Sequence, residues 1–286
     1  MTTLVIGGTG TVGSTVVRDL ATAGRPVRVM TRSPDKIASL PEGVEGVVGD
    51  LDRPDTLGPA FVGVSALFLV TPLGAAETTA GLAAVEAART AKVERIVYMT
   101  VHKLTAGAHI PHFGAKLPVV EAIERSGLPF TVIAPNNFFQ NDLWLKDAIL
   151  QFGVYPQPLG DVGLSRIDVR DIAAASVTAL TEPGHDGKTY PLVGPEAWNG
   201  PETAEAWSRA LGRTIRYGGN DLDAWSAQVS AMMPPWLVHD LRIMYQWQQE
   251  EGQIATPDDL AACTAILKRQ PRSYEDFVAE TVKAWT

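Results

Sequence analysis

The sequence predicts an α/β protein: a doubly wound parallel sheet joined to a smaller, mostly helical C-terminal domain. Three observations carry this. Up to about Pro135, short runs rich in β-branched residues alternate with longer segments of helical spacing, the pattern of a parallel sheet covered on both faces. The first of these runs leads directly into a cluster of glycines and then a helical segment. Beyond Asn136 the alternation loosens, and from Pro201 the spacing is mostly helical.

The first strand is expected at residues 3–6, followed by Gly7-Gly8-Thr9-Gly10-Thr11-Val12-Gly13 and a helix over 12–23. Glycines let the backbone turn tightly and approach a ligand, while the unpaired N–H groups and dipole at a helix start favour negative charge. Dinucleotide pyrophosphates are held in this way. The run fits G-x-G-x-x-G from Gly8 and G-x-x-G-x-x-G from Gly7, so Gly7, Thr9, Gly10, Thr11, Val12 and Gly13 are the expected cofactor residues. Taken alone, a glycine-rich turn without a ligand is the alternative. Residues 8–15 also trace a triphosphate loop, but Ser14 stands where that loop needs lysine, which argues against triphosphate hydrolysis.

Further strands are expected at 27–31, 44–48, 66–70, 95–100 and 130–134, with helices at 33–40, 54–61, 77–91 and 112–126. In such sheets ligands lie outside the carboxyl ends of the strands, so the residues after each strand are the ones to read. After the second strand, an acid would accept the ribose hydroxyls of NAD. Here the chain has Arg32, Ser33 and Lys36, which suit a 2′-phosphate and predict NADP(H) rather than NAD(H). A solvated arginine in a capping turn is the alternative. Asp50, with Leu51 beside it, follows the third strand, where it would accept from the adenine amino group or cap the next helix. Thr71 and Pro72 follow the fourth strand, and Thr100 follows the fifth, toward the nicotinamide end. After the sixth come Asn136, Asn137, Phe138 and Phe139, which combine amides with flat apolar faces and suit a planar quinone-like or aromatic carbonyl substrate. A polar strand end leading into a packed helix explains them equally well.

Pro156, Pro158, Gly160 and Gly163 mark a loop before the regular run 165–173, after which a helix and a strand at 188–193 follow. The expected division is a cofactor domain at 1–152 and a substrate domain at 153–286, with the segment near 165–194 returning to the sheet. Tryptophans at 207, 225, 236, 247 and 285 either pack the core or cap a substrate cleft.

Formal net charge is −8, with lysines and arginines scattered, which argues against a nucleic-acid or anionic-membrane partner and for a small molecule. The single cysteine, Cys263, excludes an internal disulfide and suits a reducing cytoplasm. The N-terminus shows no basic start followed by an apolar core, since the first charged residue is Arg18, which argues against a signal peptide. The uncharged run 56–76 contains three glycines and two prolines and reads as a helix end, a turn and a buried strand rather than a membrane span. Cys263 itself reads as a buried structural thiol, and the oligomeric state is left open, a homodimer included.

Together, the residues 7–13, Thr31-Arg32, Gly49-Asp50-Leu51, Lys116, the segment 135–141, the segment 168–173 and the ending from Ala262, with Arg269-Gln270-Pro271-Arg272-Ser273-Tyr274, resemble the NmrA-like group of atypical short-chain dehydrogenases/reductases. The resemblance covers nearly the whole chain. It implies a Rossmann cofactor domain with a smaller C-terminal substrate domain, acting as an NAD(P)H-dependent reductase or as a sensor of the NADPH/NADP balance. Typical short-chain dehydrogenases use a tyrosine four residues before a lysine to protonate a carbonyl oxygen. No tyrosine here has that spacing. At the matching place stand His112 and Lys116, one helical turn apart in a continuous helix, so His112 is the candidate proton donor and Lys116 the ribose ligand. Thr100 lies where the family's serine or threonine hydroxyl is expected. In the alternative reading His112 only lines a pocket. Although His102, His109 and His112 lie close in sequence, their segment has no cysteine or carboxylate and Pro111 interrupts it, so no metal is expected.

Overall fold

The computed structural model describes residues 2–286. The chain opens with β1 (Thr2–Ile6), α1 (Thr11–Thr22), β2 (Val27–Thr31), β3 (Glu45–Val48), α2 (Gly58–Phe61), β4 (Val64–Leu69), α3 (Glu77–Ala91) and β5 (Arg95–Met99). It continues with α4 (Pro111–Gly114), α5 (Leu117–Arg125), β6 (Phe130–Pro135), α6 (Lys146–Leu150), β7 (Val154–Tyr155), α7 (Val169–Thr181) and β8 (Lys188–Leu192). The remainder is α8 (Gly200–Leu211), β9 (Arg216–Tyr217), α9 (Leu222–Val229), α10 (Pro235–Glu251), α11 (Pro257–Leu267) and α12 (Tyr274–Trp285).

Seven strands make one sheet in the order β3-β2-β1-β4-β5-β6-β8, the doubly wound arrangement expected. Pairing from β3 through β6 is parallel. The Gly187 N–H donates to the Phe130 carbonyl and the Asn136 N–H to the Leu192 carbonyl, joining start to start and end to end, so β8 also runs parallel to β6. Both faces of the central strands β1, β4 and β5 are apolar because helices cover both. On one face Leu4, Ile6, Leu67, Leu69, Ile96 and Tyr98 meet Ala80, Ala84 and Ala88 of α3 and Val119 and Ile123 of α5. On the other, Val12, Val16 and Leu20 of α1 are buried, and α1 packs against α7.

Compactness divides the chain at three places rather than at one boundary near 152. One unit comprises residues 1–134 and 169–191, and the other 135–168 and 192–286. The chain thus leaves the sheet unit after β6 and returns for α7 and β8.

Of the predicted helices, one is a 3-10 rather than an α-helix and two are interrupted at prolines. Residues 34–39 form a 3-10 helix, and the 54–61 segment splits into a 3-10 turn at Pro54–Thr56 and the four-residue α2. The expected helix 112–126 breaks into α4 and α5, because Pro118 has no N–H to continue the ladder and its ring excludes the carbonyl four residues back. The Lys116 N–H bonds to the Phe113 carbonyl at 3.0 Å instead of to that of His112.

The second unit holds the two-stranded β7–β9 ribbon and the C-terminal helices. Asn199 and Thr256 begin α8 and α11 with reciprocal capping boxes, and Asp221 and Ser273 cap α9 and α12. At its centre is a fully buried ion pair: Arg166 donates to Asp142 through Nη2 at 2.7 Å and Nη1 at 3.1 Å. The Tyr155 hydroxyl donates to Asp142 at 2.9 Å, the Tyr274 hydroxyl also donates to Asp142, and Trp207 Nε1 donates to the Tyr274 oxygen at 2.9 Å. Trp207 in turn stacks on Trp285. Cys263 on α11 is completely buried, its sulfur 3.5 Å from the Val193 carbonyl oxygen.

Burial pushes the Tyr98, Tyr155, Tyr245 and Tyr274 phenols above the ordinary tyrosine range and the Tyr217 phenol up to about 12. The folded chain therefore holds these protons more tightly than the unfolded chain, whose tyrosines ionise near ~10. Stability from this source is complete below that pH and is lost as pH rises through the folded values. In an alkaline titration above about pH 10, tyrosinate absorbance is expected to rise in a cooperative step that coincides with loss of helical circular dichroism. Gradual ionisation with the helices intact would contradict this account of the cores.

Candidate active site

The cofactor side of the sheet unit begins at the β1–α1 turn. Gly7 has φ +84°, open to glycine without strain, and a Cβ there would lie 2.9 Å from the Val70 Cβ. A Cβ at Gly8 would sit 2.9 Å from Val29, and one at Gly13 would overlap the Gly7 carbonyl oxygen. These three glycines are therefore required by the fold. Gly10 differs: with φ −91° and ψ 177°, its Cβ would meet one protein atom, the Gly7 oxygen at 3.4 Å. No neighbouring side chain fills the space that this missing Cβ leaves open for a ligand.

α1 starts at Thr11 with Gly10 as its cap, no side chain capping it and no acid in its first turn. Its first ladder bond runs from the Ser14 N–H to the Gly10 carbonyl at 2.9 Å, leaving the N–H groups of Thr11, Val12 and Gly13 outside the ladder. With the helix dipole, these form an anion-binding end. Thr9, Gly10 and Thr11 are exposed here, whereas the side chain of Val12 belongs to the core, so Val12 contributes through its backbone.

At the tip of β2, the Thr31 hydroxyl accepts the Ser33 N–H at 3.2 Å and shapes the turn. Arg32 is exposed, with Nη1 3.8 Å from Asp52 Oδ2, also exposed. Such a pair is weak and readily exchanged for a phosphate. Lys36 is exposed on the following 3-10 helix. Asp50 Oδ1 accepts the Asp52 N–H at 3.1 Å and Oδ2 lies 3.9 Å from Arg53 Nε, so this carboxylate serves its own turn. Leu51 is a core residue and has only backbone to offer a ligand.

After β4, the Thr71 hydroxyl is buried and donates to Glu77 Oε1 at 2.7 Å, while Pro72 is exposed. Lys116, also buried, donates through Nζ to the same oxygen. Glu77 was not legible as a site residue: an acid in the first turn of a helix reads as a partner for the dipole. Thr100 is buried, its hydroxyl donating to the Ile133 carbonyl at 3.3 Å. His112 is partly exposed on α4 with its ring edge-to-face against Phe113, centroids 4.7 Å apart. His102 is buried and His109 exposed, and among the described residues no three metal-ligating side chains cluster.

The segment after β6 lies in the second unit, where its four candidate residues diverge. Asn136 is buried, donating through Nδ2 to the Gln253 carbonyl at 2.7 Å and accepting the Asn137 N–H at 2.7 Å. Phe139 is a core residue, its ring 5.1 Å from that of Tyr274 and 5.5 Å from that of Phe277. Asn137 and Phe138 are partly exposed, and buried Arg166 holds both, donating to Asn137 Oδ1 at 3.3 Å and to the Phe138 carbonyl at 3.0 Å. Arg166 was also missed, because the alternation Ser165-Arg166-Ile167-Asp168 puts it on the polar side of a half-buried strand.

The NmrA-like family matches residues 1–278. The chain belongs to that family. One relative, the NAD(P)H azoreductase of Xenophilus azovorans, is 37% identical over 282 residues, 96% of each chain. Another, the (4-alkanoyl-5-oxo-2,5-dihydrofuran-3-yl)methyl phosphate reductase of Streptomyces griseus, is 32% identical over 283 residues, 99% of this chain and 98% of the relative. In fold, the chain resembles the NADPH-dependent quinone oxidoreductase of Escherichia coli solved with NADPH. The TM-score is 0.88 at 21% identity, covering 98% of this chain and 99% of that one.

Two substitutions separate binding from folding. Gly10→Ala is expected to leave stability within about 0.5 kcal/mol of the parent by chemical denaturation. It should raise the NADPH Kd at least ~10-fold by crowding the phosphate approach. Gly13→Ala, which displaces α1 from β1, should lower the unfolding midpoint. Arg32→Ala is expected to raise the NADPH KM by about 10-fold or more while leaving the NADH KM within about twofold, the signature of a lost phosphate contact.

Proposed function

We propose that this protein is an NADPH-dependent reductase whose acceptors are small conjugated molecules, azo compounds and quinones foremost. The observation that carries the cofactor assignment is the exposed Arg32 guanidinium at the β2 tip beside a helix start free of acids. The open side of Gly10 fits a pyrophosphate lying against the backbone. The acceptor class rests on membership of the NmrA-like family and on the relatives named NAD(P)H azoreductase and (4-alkanoyl-5-oxo-2,5-dihydrofuran-3-yl)methyl phosphate reductase.

NADPH, when bound, supplies a hydride. The chain binds its phosphates through the first turn of α1 and through Arg32, and the ribose beside the nicotinamide through Lys116. Ser33 and Lys36 add donors around the 2′-phosphate. Asn137 and Phe138 offer the acceptor an amide and an aromatic face. A carbonyl or azo acceptor needs a proton at the atom that does not receive hydride, and the His112 imidazole, which can carry and release one, is the donor in this reading. Since the Thr100 hydroxyl donates to the Ile133 carbonyl, its contribution is to accept a hydrogen bond rather than to deliver a proton.

The test is NADPH consumption with purified protein against azo dyes, quinones, enones and aldehydes. Steady turnover with at least one azo or quinone acceptor is expected, with NADH a poorer donor. Tight NADPH binding without consumption of any acceptor would overturn the proposal. His112→Ala is expected to slow aldehyde reduction at least ~10-fold and to slow quinone reduction less, since an electron-poor quinone takes its proton from solvent more easily. Equal rates on both acceptors would remove His112 from the chemistry.

A further inference from the structure

Glu77 is 1% exposed and Lys116 8%, so their ion pair is buried in the sheet unit. Burial of a carboxylate is costly unless its oxygens are bonded. Here the load is lopsided. Oε1 takes both the Lys116 ammonium and the Thr71 hydroxyl, while Oε2 has no hydrogen-bond partner. A pair kept solely for stability would be expected to satisfy both oxygens.

The geometry around the pair is fixed from two sides. The Thr78 hydroxyl, next to Glu77, donates to the carbonyl of Ala115, next to Lys116, at 2.8 Å. One turn further on, Gly81 of α3 faces Val119 of α5, where a Cβ would overlap the valine. The helix carrying the acid and the segment carrying the lysine are therefore held in one register.

We infer that Glu77 is a positioning residue for the reductase: it clamps Lys116 to Thr71 at the carboxyl ends of the strands and sets the direction of the ammonium's remaining N–H donors. The inference rests on the reading that Lys116 binds the nicotinamide ribose. Neutralised in place, Lys116 acts by directed hydrogen bonds rather than by adding net positive charge.

Binding of NADPH and of adenosine 2′,5′-bisphosphate, which carries the Arg32 end of the cofactor but no nicotinamide ribose, is measured for Glu77→Gln, Lys116→Met and the double variant. Glu77→Gln is expected to weaken NADPH about 10-fold, to leave the bisphosphate within about twofold, and to raise the NADPH KM more than it lowers kcat. Lys116→Met should weaken NADPH similarly, and the double variant should bind no worse than Lys116→Met alone. Equal weakening of both ligands by Glu77→Gln marks a general loosening and overturns the inference, as does an additive double variant. If Lys116→Met binds NADPH normally, the ribose assignment fails and takes the inference with it. If only Glu77→Gln binds normally, the inference alone fails. Should Glu77→Gln not fold, Glu77→Leu/Lys116→Met, which replaces the pair with apolar side chains, is compared with Lys116→Met. Matching NADPH affinities support the inference, and further loss overturns it.

Discussion

The contact between Gly13 and the Gly7 carbonyl is the constraint from which the cofactor side of the sheet follows. Two backbones touch there, so the first turn of α1 cannot slide or tilt relative to β1, and its unladdered N–H groups are aimed before any ligand arrives. Donors fixed in advance lose little freedom on binding. The far strand ends follow the same principle by other means. Thr71 and Lys116 are held through a shared carboxylate, while Arg32 and Lys36, proposed here to meet the 2′-phosphate, remain on flexible stems in solvent. Rigidity near the reacting end and compliance at the adenosine end suit a carrier that must be held accurately at one atom yet exchanged every turnover.

The second unit is organised around charge as well. Removing Arg166 and Asp142 from water costs several kcal/mol per ion, and the attraction between them offsets this only where the remaining donors and acceptors are satisfied. Tyr155, Tyr274, Asn137 and the Phe138 carbonyl supply those partners. The pair therefore selects one conformation for the segment after β6 more than it adds to stability. It draws the Phe138 backbone inward and leaves the side chains of Asn137 and Phe138 at the surface of the unit.

What the sequence made legible and what it hid divide along physical lines. The glycine run, the strands and the basic β2 tip were readable because each follows from a local rule: a backbone that needs no Cβ, a run of β-branched residues, a charge that matches a phosphate. The break between α4 and α5 was not read: the apolar spacing on either side suggested one continuous element, and the inability of Pro118 to continue a helix went unweighed. Glu77 and Arg166 were not readable. Each sits in a pattern that normally faces water, and only the tertiary fold brings up the partner that makes burial tolerable. The quartet 136–139 falls between: its place after β6 followed from topology, but spacing could not reveal that Asn136 is spent on the Gln253 carbonyl and Phe139 on the core.

Cys263 has a practical corollary. Its sulfur is sealed inside α11's packing and the chain has no other cysteine. A thiol-specific reagent therefore reacts at a single place, and only in molecules whose C-terminal helices have momentarily come apart. The chain carries its own stopwatch for that opening, readable by mass without any engineered label, and the pace of modification with and without dinucleotide would report whether occupancy of the glycine turn quiets motion in the other unit.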